Sequence, residues 1–300
     1  MLIIGSHVSY KNETQLKGSV EQAISYGANA FMFYTGAPQN TARGPINDLI
    51  TYEAMQEMSS NGIKLENVIC HAPYIVNLAN DIDPDKYNFA KNFLRQEIER
   101  CEQLGVRKIV LHPGSATKLE RKYALNNIIK ALNSIIYPDD EIIILLETMA
   151  GKGTELGINL EELQYIIDNI KLKDKIGVCL DTCHLNDSGV DISKFDEYLD
   201  LFDEKIGIEK IGCVHLNDSK NPICSRKDRH ENLGYGTIGF KTLLDVAYNK
   251  RLENVPKMLE TPFVDREYAP YKFEIEEIIN KEFNSNLYND IVSYYRGSNE

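Results

Sequence analysis

Short, continuous apolar runs alternate along this chain with longer stretches whose apolar residues recur every three or four positions. Residues 2–9 form the first run, apolar and β-prone, and end in Ser6-His7. Residues 18–26 follow with Val20, Ala23 and Ile24 on one face and Gly27 as a stop, the signature of a helix. The alternation continues with strands expected at 30–34, 67–70, 108–111, 141–146, 176–180, 210–214 and 256–259. Between them, helical periodicity covers 47–60, 85–104, 120–136, a segment capped by Asn159 and running to about residue 170, 193–205, 240–249 and 266–283. In the helix at 47–60, Leu49, Ile50, Ala54, Met55 and Met58 supply the apolar positions. Residues 284–300 are polar and are expected to fray.

Eight strand–helix units with no long linker between them predict an α/β fold, a single (β/α)8 TIM barrel spanning residues 1–300 as one domain. The rival is an open doubly wound sheet, but no Gly-x-Gly-x-x-Gly follows the first strand.

The ends of the strands carry the chemistry. His71, His112, Glu147, Asp181, His215 and Glu260 each end a different strand, spaced by 41, 35, 34, 34 and 45 residues, about one unit each. In a barrel they ring the C-terminal mouth. His184 follows Asp181 by three residues, and Asp228 and His230 sit in the loop after the seventh strand. The chain has 6 His, and all but His7 belong to this set. A lone His at a strand end is ordinarily a hydrogen-bonded structural residue; five interleaved with four carboxylates predict a metal site. Mixed imidazole and carboxylate donors suit zinc, manganese or iron(II), and nine donors serve two or three ions. Such clusters suit phosphate-ester hydrolysis, because the ions generate a nucleophile near neutral pH and neutralise phosphoryl and leaving oxygens. His7 is expected to play a structural part.

Composition narrows the setting. A net charge of −12 argues against nucleic-acid binding driven by overall charge, though not against a local basic groove. No apolar run approaches the roughly 18 residues of a membrane span. The apolar start lacks a basic leader and reads as a strand, and the 6 scattered Cys read as reduced thiols, so a cytoplasmic protein is expected.

The motifs in their order resemble those of the endonuclease IV family of apurinic/apyrimidinic endonucleases. They run from Ile4-Gly5-Ser6-His7-Val8-Ser9 through His71-Ala72-Pro73-Tyr74, Leu111-His112-Pro113-Gly114-Ser115 and Glu147-Thr148-Met149-Ala150-Gly151. Leu180-Asp181-Thr182-Cys183-His184, His215-Leu216-Asn217-Asp218-Ser219-Lys220, Asp228-Arg229-His230 and Glu260-Thr261-Pro262 complete them. The resemblance implies a trinuclear zinc site, with manganese or iron(II) as alternatives at some positions. His71, His112 and Glu147 would hold one ion. Glu147 would bridge to a second, also held by Asp181, His215 and Glu260, and His184, Asp228 and His230 would hold a third. It implies hydrolysis of the phosphodiester 5′ to an abasic site in duplex DNA, leaving a 3′-hydroxyl and a 5′-deoxyribose phosphate, with Glu147 and Glu260 as catalytic residues. The implied partner is double-stranded DNA with abasic or 3′-blocked sites, bound by a monomer. Tyr74 matches a lesion-side tyrosine, and the loop 36–43, with Gln39 and Asn40, holds the position of a DNA-penetrating loop. Lys118, Lys152, Lys220, Arg226, Lys227 and Arg229 lie in mouth loops where phosphates would pass. Lys152 departs from a glutamine common in the family.

Two other readings are consistent with parts of the pattern. A sugar isomerase or epimerase on the same barrel needs one or two metals and leaves His184, Asp228 and His230 surplus. A non-catalytic protein that binds abasic DNA needs no competent donors, yet all nine positions carry them.

Overall fold

Eight parallel strands close on themselves in the structure, a computed structural model that describes residues 1–297. In chain order the strands are β1 (Ile4–His7), β2 (Ala30–Phe33), β3 (Val68–His71), β4 (Lys108–Leu111), β5 (Ile143–Glu147), β6 (Ile176–Asp181), β7 (Ile211–His215), a short antiparallel pair β8 (Asp218–Ser219) and β9 (His230–Glu231), and β10 (Lys257–Leu259). The barrel order is β1-β10-β7-β6-β5-β4-β3-β2. The helices are α1 (Gln15–Ser25), α2 (Asp48–Ser60), α3 (Pro84–Gln103), α4 (Arg121–Ile135), α5 (Leu160–Asp168), α6 (Thr182–Ser188), α7 (Phe195–Lys205), α8 (Phe240–Ala247), α9 (Tyr271–Asn280) and α10 (Leu287–Gly297). The expected (β/α)8 barrel is therefore present.

Closure follows from strands that are apolar on both faces. One face packs under the helices in the main core, through residues such as Ile4, Phe31, Phe33, Val68, Ile109, Ile144 and Val178. The other fills the barrel with Ala30, Met32, Ile69, Val110, Leu145, Cys179, Cys213 and Met258. Gly5 permits the seam between β1 and β2: a Cβ there would lie 1.8 Å from the carbonyl oxygen of Ala30.

Three segments differ from the sequence expectation. The last barrel helix starts at Tyr271, not 266, because Asp265 and Arg266 take left-handed backbone (φ 53° and 61°) in a turn closed by Val264 and Tyr268. Residues 287–297 form a helix instead of fraying. Leu287 and Ile291 are fully buried with Val264, against Tyr235, Tyr268, Phe273 and Tyr288. Residues 298–300 of that expected tail lie outside the described residues. In α2, Leu49 is exposed and Thr51 is buried in its stead.

Beyond β6 the polar residues 182–188 form a largely buried helix, α6. Asp181 caps it by accepting a hydrogen bond from the His184 backbone N–H at 2.8 Å, and Gly189 ends it at φ 115°. Three buried carboxylates order the loops around it. Asp218 accepts backbone N–H bonds from Ser219, Gly234, Gly236, Ile238 and Gly239 at 2.8–3.2 Å. Asp187 accepts from the Ser219 hydroxyl (2.7 Å), the Asn221 amide (3.3 Å) and the Asp228 backbone N–H (2.9 Å). Glu274 of α9 accepts from the Thr261 hydroxyl, the Asn232 amide and the Leu233 N–H, the last two at 3.0 Å. It thereby ties the chain beyond β10 to the β9 turn.

Burial pushes the Glu274 carboxyl up from 4.5 to about 7, against the pull of those hydrogen bonds. The folded protein thus holds a proton there that the unfolded chain gives up earlier. That contribution to stability is complete below pH 4.5 and is lost as pH rises through about 7. Glu274→Gln keeps the neutral form at every pH. Its melting temperature is expected to exceed the parent's at about pH 8.5 and to match it near pH 5; an equal difference at both values would show that this carboxyl does not titrate in the window. Leu287→Ala leaves a void under α10 and is expected to cost roughly 2–5 kcal/mol in urea unfolding.

Candidate metal centre

The strands of the barrel stop at one level, and the side chains at their ends converge. Glu147, at the end of β5, is the hub. Its Oε2 lies 3.2 Å from His71 Nε2 and 3.0 Å from His112 Nε2, and its Oε1 lies 3.1 Å from His215 Nδ1 and 3.3 Å from His184 Nδ1. Glu260, just past β10, meets the same nitrogen of His215, with Oε2 3.0 Å from Nδ1. Asp181 Oδ2 lies 3.7 Å from His215 Nδ1 and 3.5 Å from His230 Nε2. Asp228 Oδ1 lies 3.0 Å from His184 Nε2 and 3.8 Å from His230 Nε2. All nine expected donors meet at the mouth.

The donors sort into three sets, each with its ligand atoms within 4.8 Å of one another: His71, His112 and Glu147; Glu147, Asp181, His215 and Glu260; and Asp181, His184 and His230. In the third set Asp181 stands beside the two imidazoles, where the sequence reading has Asp228. Asp228 also faces both rings, so the two carboxylates flank this pair. His7 stands apart: its ring packs on Tyr34 at 4.7 Å, and burial pushes its pKa down to about 4 despite the attraction of Glu260.

These residues fit a cation. His71, His184 and His230 direct Nδ1 to the backbone carbonyls of Ala72 (2.7 Å), Thr148 (2.9 Å) and Glu260 (3.2 Å). Donation through Nδ1 leaves the Nε2 lone pair facing the mouth, as metal-binding imidazoles require. His230 Nε2 is buried and makes no hydrogen bond among the described residues. Carboxylates are held likewise: the Asn217 amide donates to Asp181 at 2.8 Å, and the Thr148 hydroxyl receives the Asp181 N–H at 2.9 Å.

Charge gives the same answer. Burial alone would raise the Glu147 carboxyl, but His215 and His112 outweigh it and hold it well below its usual value. Burial likewise opposes ionisation of Glu260, and His215 overrides it. His184 is held well above its usual value because Asp181, Asp228 and Glu147 outweigh its desolvation. The clustered carboxylates hold His112, His184 and His215 above their usual value against desolvation; divalent cations would supply that positive charge directly.

Around the mouth, Tyr74 is 52% exposed, right beside His71 and Pro73. Gln39 and Asn40 are exposed at the tip of the loop after β2, and Lys118, Lys152, Lys220, Arg226, Lys227 and Arg229 are exposed as well. Lys220 lies 3.7 Å from Glu231. The loop after β2 is held in shape from within. Arg43 donates to the carbonyls of Asn40 (3.2 Å) and Ala42 (2.9 Å) and pairs with the buried Glu97 at 2.8 Å. Gly36 leaves room for that guanidinium, since a Cβ there would lie 2.8 Å from it. The sequence reading gave no role to Arg43 in the loop 36–43, to Asp187 and Asp218 in the His-Leu-Asn-Asp-Ser stretches, or to Glu97 and Glu274. Their sequence signal is weak, because each is an ordinary charged residue until the fold buries it.

Comparison with known proteins agrees with this architecture. Residues 20–281 match the family model described as a xylose isomerase-like TIM barrel. The chain is 50% identical over 287 residues to a probable endonuclease 4 of Mycoplasma capricolum subsp. capricolum, covering 95% of this chain and 99% of the relative. It is 47% identical over 297 residues to a probable endonuclease 4 of Pediococcus pentosaceus, covering 97% and 100%. Among solved structures, endonuclease IV from Thermus thermophilus superposes with a TM-score of 0.78 at 28% identity, covering 92% of this chain and 97% of that one. A D-tagatose 3-epimerase-like protein matches at TM-score 0.67 and 22% identity, covering 97% and 99%, a likeness of fold. On the extent of these matches, the chain belongs to the endonuclease IV family.

Proposed function

We propose that this chain, acting as a monomer and a single functional domain, is a DNA-repair endonuclease that hydrolyses the phosphodiester 5′ to an abasic site. Its products would be a 3′-hydroxyl and a 5′-deoxyribose phosphate. The observation that carries this reading is the convergence of nine imidazole and carboxylate donors around the Glu147 hub, in a chain about half identical to relatives named as endonucleases.

In this reading three zinc ions are held by His71, His112 and Glu147; by Glu147, Asp181, His215 and Glu260; and by His184, Asp228 and His230, with Asp181 close enough to share in the last. Bound zinc supplies a low-pKa water and positive charge for the phosphoryl and leaving oxygens. The protein's own residues do the rest. Glu147 joins the first and second sets, fixing how far apart the two lie. Glu260 is partly open to solvent, 17% exposed, and His215 keeps it anionic, so it is suited to orient the attacking water by accepting its hydrogen bond. Tyr74 would stack against the lesion, where the missing base leaves little stacking to break. Gln39 and Asn40, on the loop clasped by Arg43, would enter the duplex, and Lys220 and Arg229 would meet its phosphates. These cations would create attraction locally on a chain of net charge −12.

Incubation with a duplex carrying one tetrahydrofuran abasic analogue is expected to give a single cut immediately 5′ of the analogue, with an extendable 3′-hydroxyl. An undamaged duplex should stay whole. No cutting by fully metallated protein would sink the assignment; tight binding without cutting would leave a binding protein. His230→Ala should reduce incision by more than the roughly 10–100-fold typical of losing an outer-shell partner. An epimerase on the same barrel would keep its sugar activity in that variant. Asp187→Ala removes the acceptor that fixes the Asp228 backbone N–H. It is expected to weaken the third zinc by roughly 10–100-fold, so that dialysis against a mild chelator leaves two ions where the parent keeps three.

A further inference from the structure

Below the nine-residue centre, the barrel interior carries two thiols. Cys179 of β6 and Cys213 of β7 are register partners on neighbouring parallel strands, and both belong to the interior layer that also holds Met32 and Met258. Each lies two residues before a member of the centre, Asp181 or His215, so strand alternation turns all four side chains inward. Both sulfurs and a ring nitrogen of His215 lie within 4.8 Å of one another. His215 Nδ1 already faces Glu147 at 3.1 Å and Glu260 at 3.0 Å. Its Nε2 is buried and, among the described residues, makes no hydrogen bond. Burying a ring nitrogen with no hydrogen-bond partner better than a thiol is unfavourable. Sulfur is a poor hydrogen-bond acceptor for it but a strong ligand for soft cations.

The geometry points to a second kind of metal site, in which Cys179 Sγ, Cys213 Sγ and His215 Nε2 bind one thiophilic cation of the Cu(I) or Cd(II) class. Three donors so spaced always leave a point within about 2.8 Å of each, near enough to the ~2.3 Å of a metal–thiolate bond that small side-chain rotations close it. Binding releases one proton from each thiol to solvent, with no change of oxidation state. In the zinc-loaded protein His215 would also change tautomer: as zinc leaves Nδ1 and the soft cation takes Nε2, the proton on Nε2 is given up and Nδ1 carries one toward Glu147 and Glu260. A neutral imidazole has one lone pair, so a soft cation below and a zinc ion above compete for His215. The site would make the centre vulnerable to thiophilic metals through a residue that oxygen- and nitrogen-seeking ions use from the opposite side.

The test is a Cd(II) titration of the zinc-loaded protein, in a Cys224→Ser background that removes the exposed thiol. The readouts are the ultraviolet sulfur-to-cadmium charge-transfer band and zinc release to a colorimetric chelator. One equivalent of Cd(II) is expected to produce the band and release one zinc. Cys179→Ser and Cys213→Ser should each weaken Cd(II) binding at least tenfold; if serine at either buried position prevents folding, alanine replaces it. Absence of the band, or a band unchanged in both variants, overturns the proposal. Displacement of zinc rests on the second-ion assignment under the proposed function. The charge-transfer band does not, and it reads the site even if the protein cuts no DNA.

Discussion

Everything at the mouth depends on one buried carboxylate. Glu147 is 1% exposed and has an imidazole nitrogen of His71, His112, His184 and His215 within 3.3 Å. An isolated carboxylate so placed would be very costly. It is tolerable because opposite charge surrounds it, whether as protonated imidazole or as metal. The same requirement extends to Asp181 and Glu260, which share His215 with it. The centre is thus a collective structure, in which no acid is stable alone.

A collective site needs rigid loops, and the barrel alone does not make the loops after β7 and β10 rigid. Buried acids outside the centre do this work. Asp187 holds the Asp228 backbone, Asp218 gathers the N–H groups of the glycine-rich turn at 234–239, and Glu274 joins Thr261 to Asn232. Each accepts several hydrogen bonds, which lowers the cost of burying it. Glu274 still pays part of that cost in its raised pKa. The centre therefore has acids facing the mouth and acids facing backbone, and only the first group is placed to meet a cation.

Much of this is legible in the amino-acid sequence. Strand–helix alternation follows from apolar runs of the right length, and donors at strand ends one unit apart must share a mouth once the sheet closes. Periodicity was weaker at the C-terminus. The stretch from 284 looks polar because its buried residues, Leu287 and Ile291, are a minority, and their partner Val264 is distant in sequence. The roles of Arg43 and Glu97 were invisible for a related reason: charge patterns report solvated surfaces until the fold sets a partner 54 residues away.

One pentapeptide marks the boundary between what the chain determines and what its folding decides. His-Leu-Asn-Asp-Ser occurs at 184–188 and again at 215–219. The first copy is helical, capped by Asp181; the second completes β7 and passes into β8. Local sequence determined that both would put an imidazole and turn-forming polar groups at the barrel mouth. It could not choose between helix and strand, because identical residues have identical propensities. The choice came from partners far along the chain: the barrel register that takes His215 into β7, and the N–H groups at 234–239 that claim the second aspartate, Asp218. Its counterpart Asp187 instead reaches across to Asp228. Backbone and carboxylate groups must be satisfied wherever they are buried, and only the tertiary structure supplies the groups that satisfy them.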